Sequence, residues 1–206
     1  MHALRITLLA LALSAAPALA QQSPADPPAP QPAAAATPAA PAKSPSQLRE
    51  EELDRLFGLL HGEGAEARAA TVEKRIWATW GRSDSVTAEV LLNQATKAMN
   101  AEEFETAEVI LDRLLTVRPE FAEAWNRRAT LNFLAKRYDK ALADIDKVLE
   151  LEPRHFGALA GRGMIYEAQG KPDQALAAYR EALTMNPFMS GVKDKVQLLE
   201  KERPDI

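Results

Sequence analysis

Three prolines, Pro119, Pro153 and Pro187, stand 34 residues apart, and the segments between them can be laid on one another column by column. Ala107, Ala141 and Ala175 repeat at the same interval, as do Leu111, Ile145 and Tyr179. Leu114, Val148 and Ala182 follow them. Self-similarity at a fixed period near 34 marks a stacked-repeat fold, in which one unit cannot bury its apolar face alone and depends on its neighbours. No catalytic motif in the chain constrains it as strongly.

Within each period the pattern reads as a helix pair. In the middle unit, residues 122–136 carry Ala124, Trp125, Ala129, Leu131, Phe133 and Leu134 at helical spacing. Arg137, Tyr138 and Asp139 interrupt it. Helical spacing then resumes through Ala141, Leu142, Ile145, Val148, Leu149 and Leu151. Pro153 ends the second helix, because it lacks a backbone N–H and disfavours helix in the residue before it. The third unit adds Gly170, placed to close its first helix in a left-handed conformation, and Pro172, whose fixed φ suits the start of the next.

Residues 121–188 resemble two consecutive tetratricopeptide repeats, and residues 88–121 a more divergent first one. The middle unit places Trp125, Ala129, Tyr138, Ala141, Ile145, Val148 and Pro153 on the family's signature columns. The last unit places Leu159, Gly163, Tyr166, Ala175, Tyr179, Ala182 and Pro187 there, and the first keeps Leu91, Ala95, Ala98, Phe104, Ala107, Leu111, Leu114 and Pro119. The resemblance implies an all-α fold, a right-handed superhelical stack of antiparallel helix pairs, with repeats at 88–121, 122–155 and 156–189. Residues 47–87 break at a glycine-rich stretch around His61 into two helical segments, and they read as an N-terminal cap on the first repeat or a degenerate repeat. Residues 190–206 read as a C-terminal capping helix, since a solenoid's apolar ends need covering. Trp77 and Trp80 are either core or partner anchors, with core the expectation for aromatics at helical spacing.

The column that holds leucine in the family holds Gln94, Arg128 and Arg162 here. Charges in a semi-buried column need partners. The expectation is pairing with Asp112, Asp144 or Asp146; the alternative is a ligand contact.

Composition divides the chain. Residues 1–20 read as a secretory signal peptide: Arg5 in a short basic start, an apolar run over 6–13, and a small-x-small site ending at Ala20. The run is shorter than the about 20 residues that cross a bilayer, so cleavage after Ala20 is expected, leaving no stable membrane anchor. Residues 21–46 hold eight prolines and nine alanines, the makeup of a disordered tether. This pairing implies a periplasmic or secreted domain. Removing residues 1–20 would take the net charge from −4 to −5, a poor balance for nucleic-acid binding, which rests on basic side chains. The absence of cysteine excludes disulfides, thiolate metal sites and cysteine nucleophiles.

No enzyme is expected. His61 and His155 have no second histidine at zinc spacing, no serine sits in a nucleophile elbow, and Gly157, Gly161 and Gly163 lie in a helix rather than a phosphate loop. No metal or cofactor is expected either. In the family the first helix of each pair lines the concave face, which here would present Glu89, Leu92, Asn93 and Thr96, then Glu123, Asn126, Arg127 and Thr130, then Gly157, Ala160, Gly161 and Met164. The resemblance implies a non-catalytic adaptor whose groove holds a peptide or helix, with Asn93, Thr96, Asn126, Arg127, Thr130 and Met164 as contact residues, and the amino-terminal leader makes it an exported one with an envelope protein as partner. Arg127, with Arg154 and His155, would offer a positive spot for a carboxylate. A self-associating structural module, or a positioning subunit of a cell-envelope enzyme, is the alternative.

Overall fold

The computed structural model describes residues 42–202; the expected signal peptide and most of the tether, like residues 203–206, lie outside the described residues. Among the described residues nine helices run in order: α1 (Pro45–His61), α2 (Ala65–Trp80), α3 (Val86–Asn100), α4 (Phe104–Val117), α5 (Ala122–Leu134), α6 (Tyr138–Leu151), α7 (Phe156–Ala168), α8 (Pro172–Met185) and α9 (Ser190–Lys201). No strand occurs among the described residues. α1 starts two residues inside the stretch whose composition reads as tether. Ser44 and Gln47 form a reciprocal capping box there, and Pro45 fills the first helical position.

Helices α3/α4, α5/α6 and α7/α8 are the three sequence repeats, and their turns repeat bond for bond. Each first helix closes through a residue in the left-handed conformation: Glu102 (φ 59°), Lys136 (φ 57°) and Gly170 (φ 68°). The following N–H then reaches back five residues, Glu103 to the Ala98 carbonyl, Arg137 to Asn132 and Lys171 to Tyr166, at 2.8–2.9 Å. Each second helix ends with an N–H on the carbonyl four residues back, from Arg118, Glu152 and Asn186, just before the three prolines.

Small residues let the helices of a pair close. Ala107, Ala141 and Ala175 are fully buried, and so are Ala95, Ala129 and Gly163 in the facing column. The cores run on from one repeat to the next. Phe121, Ala124 and Leu131 join the first repeat's core, Ala158 and Ile165 the second's, and Val192, Val196 and Leu199 of α9 the third's. α9 therefore stacks as a further first helix.

The α1/α2 hairpin departs from expectation. Its core of Leu53, Leu56, Phe57, Leu60, Val72, Ile76 and Trp80 packs with Phe156, Met185, Phe188 and Met189 of the third repeat and its exit turn. The first repeat's core contains no residue from α1 or α2. The hairpin is a lateral buttress on the third repeat rather than a cap on the first. One consequence shows at α3, where Val86 is 79% and Val90 48% exposed.

Candidate functional site

The inner face of the stack is built from α3, α5 and α7, with the start of α9 continuing it. At the beginning of α7 the chain's own hairpin already lies against this face. The Trp77 ring sits where a Cβ on Gly157 would be, 2.3 Å from the nearest ring atom, so only glycine permits the contact. Trp80 stacks on His155 with ring centroids 4.0 Å apart and planes 13° from parallel, and Phe57 and Phe156 complete the aromatic cluster. Around it the contacts are polar. Arg154 bonds Glu50 at 2.8 Å and Asp54 at 2.6 Å on α1, and Glu152 at 3.0 Å beside itself. The His61 ring bridges the Phe57 and Thr184 carbonyls, one from each nitrogen at 3.0 Å, and Asn186 donates to Glu73 at 3.1 Å. Burial opposes the Arg154 charge, but hydrogen bonds to Glu152 and Asp54 outweigh it and hold the guanidinium's pKa above its usual value.

Beneath this cluster a buried network centres on Glu123, which is 2% exposed. Its carboxylate takes Arg127 at 2.8 Å, Asn126 Nδ2 at 3.0 Å and His155 Nε2 at 3.2 Å. The Ala158 N–H donates to His155 Nδ1, so the ring carries its proton on Nε2 and donates it to Glu123. His155 is thus both the α7 N-cap and a strut between repeats. Neither Arg154 nor His155 forms a free positive spot. The first is taken by α1 and the second is fully buried.

Two adjoining cavities remain open on the inner face. The larger, of about 700 Å³, lies between α2, α5, α7 and α9, lined by Glu73, Phe133, Met164, Phe188, Met189 and Val192 among others. The smaller, about 160 Å³, runs between α5 and α7 past Asn126, Ala129, Thr130, Gly157 and Gly161. Phe133, Ala160 and Met164 belong to both, so the two form one groove. Met164, 47% exposed, stands at the junction.

Of the sequence-derived contact residues, Asn126, Thr130 and Met164 come together along this groove. Arg127 is held in the Glu123 network, and Asn126 shares that duty. Asn93 and Thr96 lie on α3 and line neither cavity; Thr96 bonds back to its own helix at the Leu92 carbonyl. Phe188, Met189 and Val192 also line it, and the repeat register does not mark them, because α9 and the turn before it read from sequence only as a cover. The arginine ladder pairs internally as expected, Arg128 with Asp144 at 2.7 Å and Asp112 at 2.9 Å, and Arg162 with Asp146 at 2.7 Å. Among the described residues no group of three or more His, Cys, Asp or Glu could hold a metal ion.

Residues 120–187 match the tetratricopeptide repeat family. That match takes in the second and third repeats. A TPR repeat-containing protein of Rhizobium etli is 35% identical over 92 residues, 45% of this chain and 45% of that relative, so the match spans less than half the relative's length. The TPR stack also resembles solved domains. The first TPR domain of Spaghetti (RPAP3), solved with an HSP90 peptide, superposes with a TM-score of 0.54 at 20% identity, over 57% of this chain and 94% of that one. The Yersinia enterocolitica type III secretion chaperone SycD, solved with a peptide of the translocator YopD, gives 0.55 at 12% identity, over 59% and 98%. At such identities the likeness concerns the fold alone.

Proposed function

We propose that this TPR stack is a non-catalytic adaptor that holds a peptide or helix of another protein in the groove between α5, α7 and α9. The observation that carries the reading is the open apolar groove itself, with Met164 exposed at its centre and Phe133, Phe188 and Met189 as walls. Phe133, Phe188 and Met189 each pack against a buried core on one side and line the groove on the other, and a groove of this volume suits large apolar anchors. The peptide complexes of Spaghetti and SycD support a protein segment as the kind of ligand. The amino-terminal sequence supports export, with cleavage after Ala20, a proline-rich tether and an envelope protein as the partner. A Met164→Glu variant of the processed chain should lose whatever partner the parent captures from an envelope fraction, as read by mass spectrometry. Equal capture by parent and variant would remove the groove from consideration.

A second reading draws on the exposed Val86 and Val90 at the uncapped first repeat, a surface fit for self-association. Light scattering of the processed chain distinguishes it, since this reading requires dimers that a Val86→Lys, Val90→Lys variant does not form.

A further inference from the structure

Among the described residues, the groove contains one carboxylate without a cation. Glu167 and Lys195, which also line the larger cavity, pair with each other at 2.6 Å, and the second Glu167 oxygen accepts the Tyr179 hydroxyl at 2.8 Å. Glu73, reaching in from α2, has no ion pair among the described residues. It accepts a hydrogen bond from Asn186, a fully buried amide whose Oδ1 accepts the Phe188 N–H at 3.0 Å. That bond fixes the amide's orientation, so Nδ2 must point at Glu73 and hold one carboxylate oxygen in place. The other is left for a ligand. The wall around it is Phe133, Met164, Phe188 and Met189, where a charge is screened less than on an open surface.

We propose that Glu73 makes the groove selective for a basic segment: the bound chain carries a large apolar side chain and, within about one helical turn of it, a lysine or arginine that pairs with Glu73. This rests on the groove reading above and adds the partner's chemistry to it. The hairpin's position on the third repeat supplies the reason for its acid. α2 supplies a specificity-determining residue to a groove otherwise made by α5, α7 and α9. The chain's own residues 21–41 do not fit as occupant, since they contain neither a basic nor a large apolar side chain.

Selection of a random peptide library displayed on phage, against the processed full-length chain, tests this. Enriched peptides should share an apolar anchor with a nearby Lys or Arg. Glu73→Gln keeps an acceptor for Asn186 and removes only the charge, and it should weaken the enriched peptides roughly five- to tenfold. Glu73→Lys should shift enrichment toward Asp and Glu, with circular dichroism melting confirming that both variants fold. Peptides that depend on Met164 yet show no basic preference, or that bind Glu73→Gln unchanged, would overturn the charge selection and leave the groove standing. Failure to enrich any Met164-dependent peptide would overturn both.

Discussion

Trp77 occupies the space over Gly157 so fully that an added Cβ would meet its ring at 2.3 Å. The same column holds Glu89 and Glu123 in the earlier repeats, so the glycine is a local exchange of side chain for contact. Gly157→Ala would gain up to about 1 kcal/mol of helix propensity but force the indole out, and overpacking of this kind costs about 1–3 kcal/mol. The cost falls on the hairpin rather than on the repeats. A melt followed by tryptophan fluorescence should show the hairpin leaving ahead of the main transition, with faster proteolysis between α2 and α3. A single unshifted transition would contradict this account.

The left-handed turns of the first two repeats are built on the wrong residue type. Glu102 and Lys136 hold φ near +60°, where a non-glycine side chain costs about 1–2 kcal/mol, while Gly170 serves the same column without strain. Glu102→Gly and Lys136→Gly should each stabilise the domain by about 1 kcal/mol, less the entropy glycine adds to the unfolded chain. Gly170→Ala should destabilise it by a similar amount. Chemical denaturation with an unchanged m-value is the measurement.

Tyr179 fills the column that holds Leu111 and Ile145, and the facing small residue shrinks from alanine to Gly163 to admit it. A Cβ on Gly163 would lie 2.4 Å from the tyrosine ring. Gly163→Ala should therefore cost about 1–3 kcal/mol. Tyr179→Leu recreates the Leu111/Ala95 pairing of the first repeat. Combined with Gly163→Ala, it should recover much of the loss, a coupling that a double-mutant cycle reads directly. Additive losses would show that the two residues do not compensate each other.

The stack was legible in sequence because its determinants are columnar. Each proline, alanine and aliphatic position recurs at 34 residues, and stacking neighbours demand the same shape each time. The hairpin's docking was not legible. The stripe of Leu53, Leu56, Val72 and Ile76 announces that a face is buried but not against what. The choice of the third repeat rests on residues that break the columns: Gly157, the stacked His155 and the charged turn of Glu152 and Arg154. A glycine inside a helical pattern was the one available signal of a close approach. The groove was half legible for the same reason. Met164 and Thr130 follow from the repeat register, whereas Phe188, Met189 and Glu73 enter through α9 and α2, whose placement the register does not fix.

Acid and alkali should act on one contact from opposite sides. The Tyr179 hydroxyl donates to Glu167 at 2.8 Å. Burial and then the adjacent carboxylate raise the phenol's pKa, so its contribution is whole below the usual value near 10.0 and is lost as pH climbs through the raised one. For Glu167, burial alone would raise the pKa, but hydrogen bonds from Lys195 and Tyr179 hold it below 4.5. That contribution is whole above 4.5 and fades as pH falls through the lowered value. Glu167→Gln should flatten the acid limb of the stability profile, and Tyr179→Phe the alkaline limb. Identical profiles for parent and variants would assign the pH dependence elsewhere.

Arg127 and Asn126 are matched to Glu123 before any partner arrives, so their joint replacement by alanine should lower the melting temperature. Arg127→Ala strands a carboxylate that is 2% exposed, with only the Asn126 amide and the His155 ring left to it. Orphaning a buried charge is costly, though Arg127 is itself about a third exposed and water can approach, so a loss of about 1–3 kcal/mol follows. Adding Glu123→Gln removes the stranded charge while its amide oxygen still accepts from His155 Nε2. The double variant should therefore be more stable than Arg127→Ala alone. If the second substitution lowers stability further, the carboxylate is satisfied by something other than Arg127, and the strut between the second and third repeats has been misassigned.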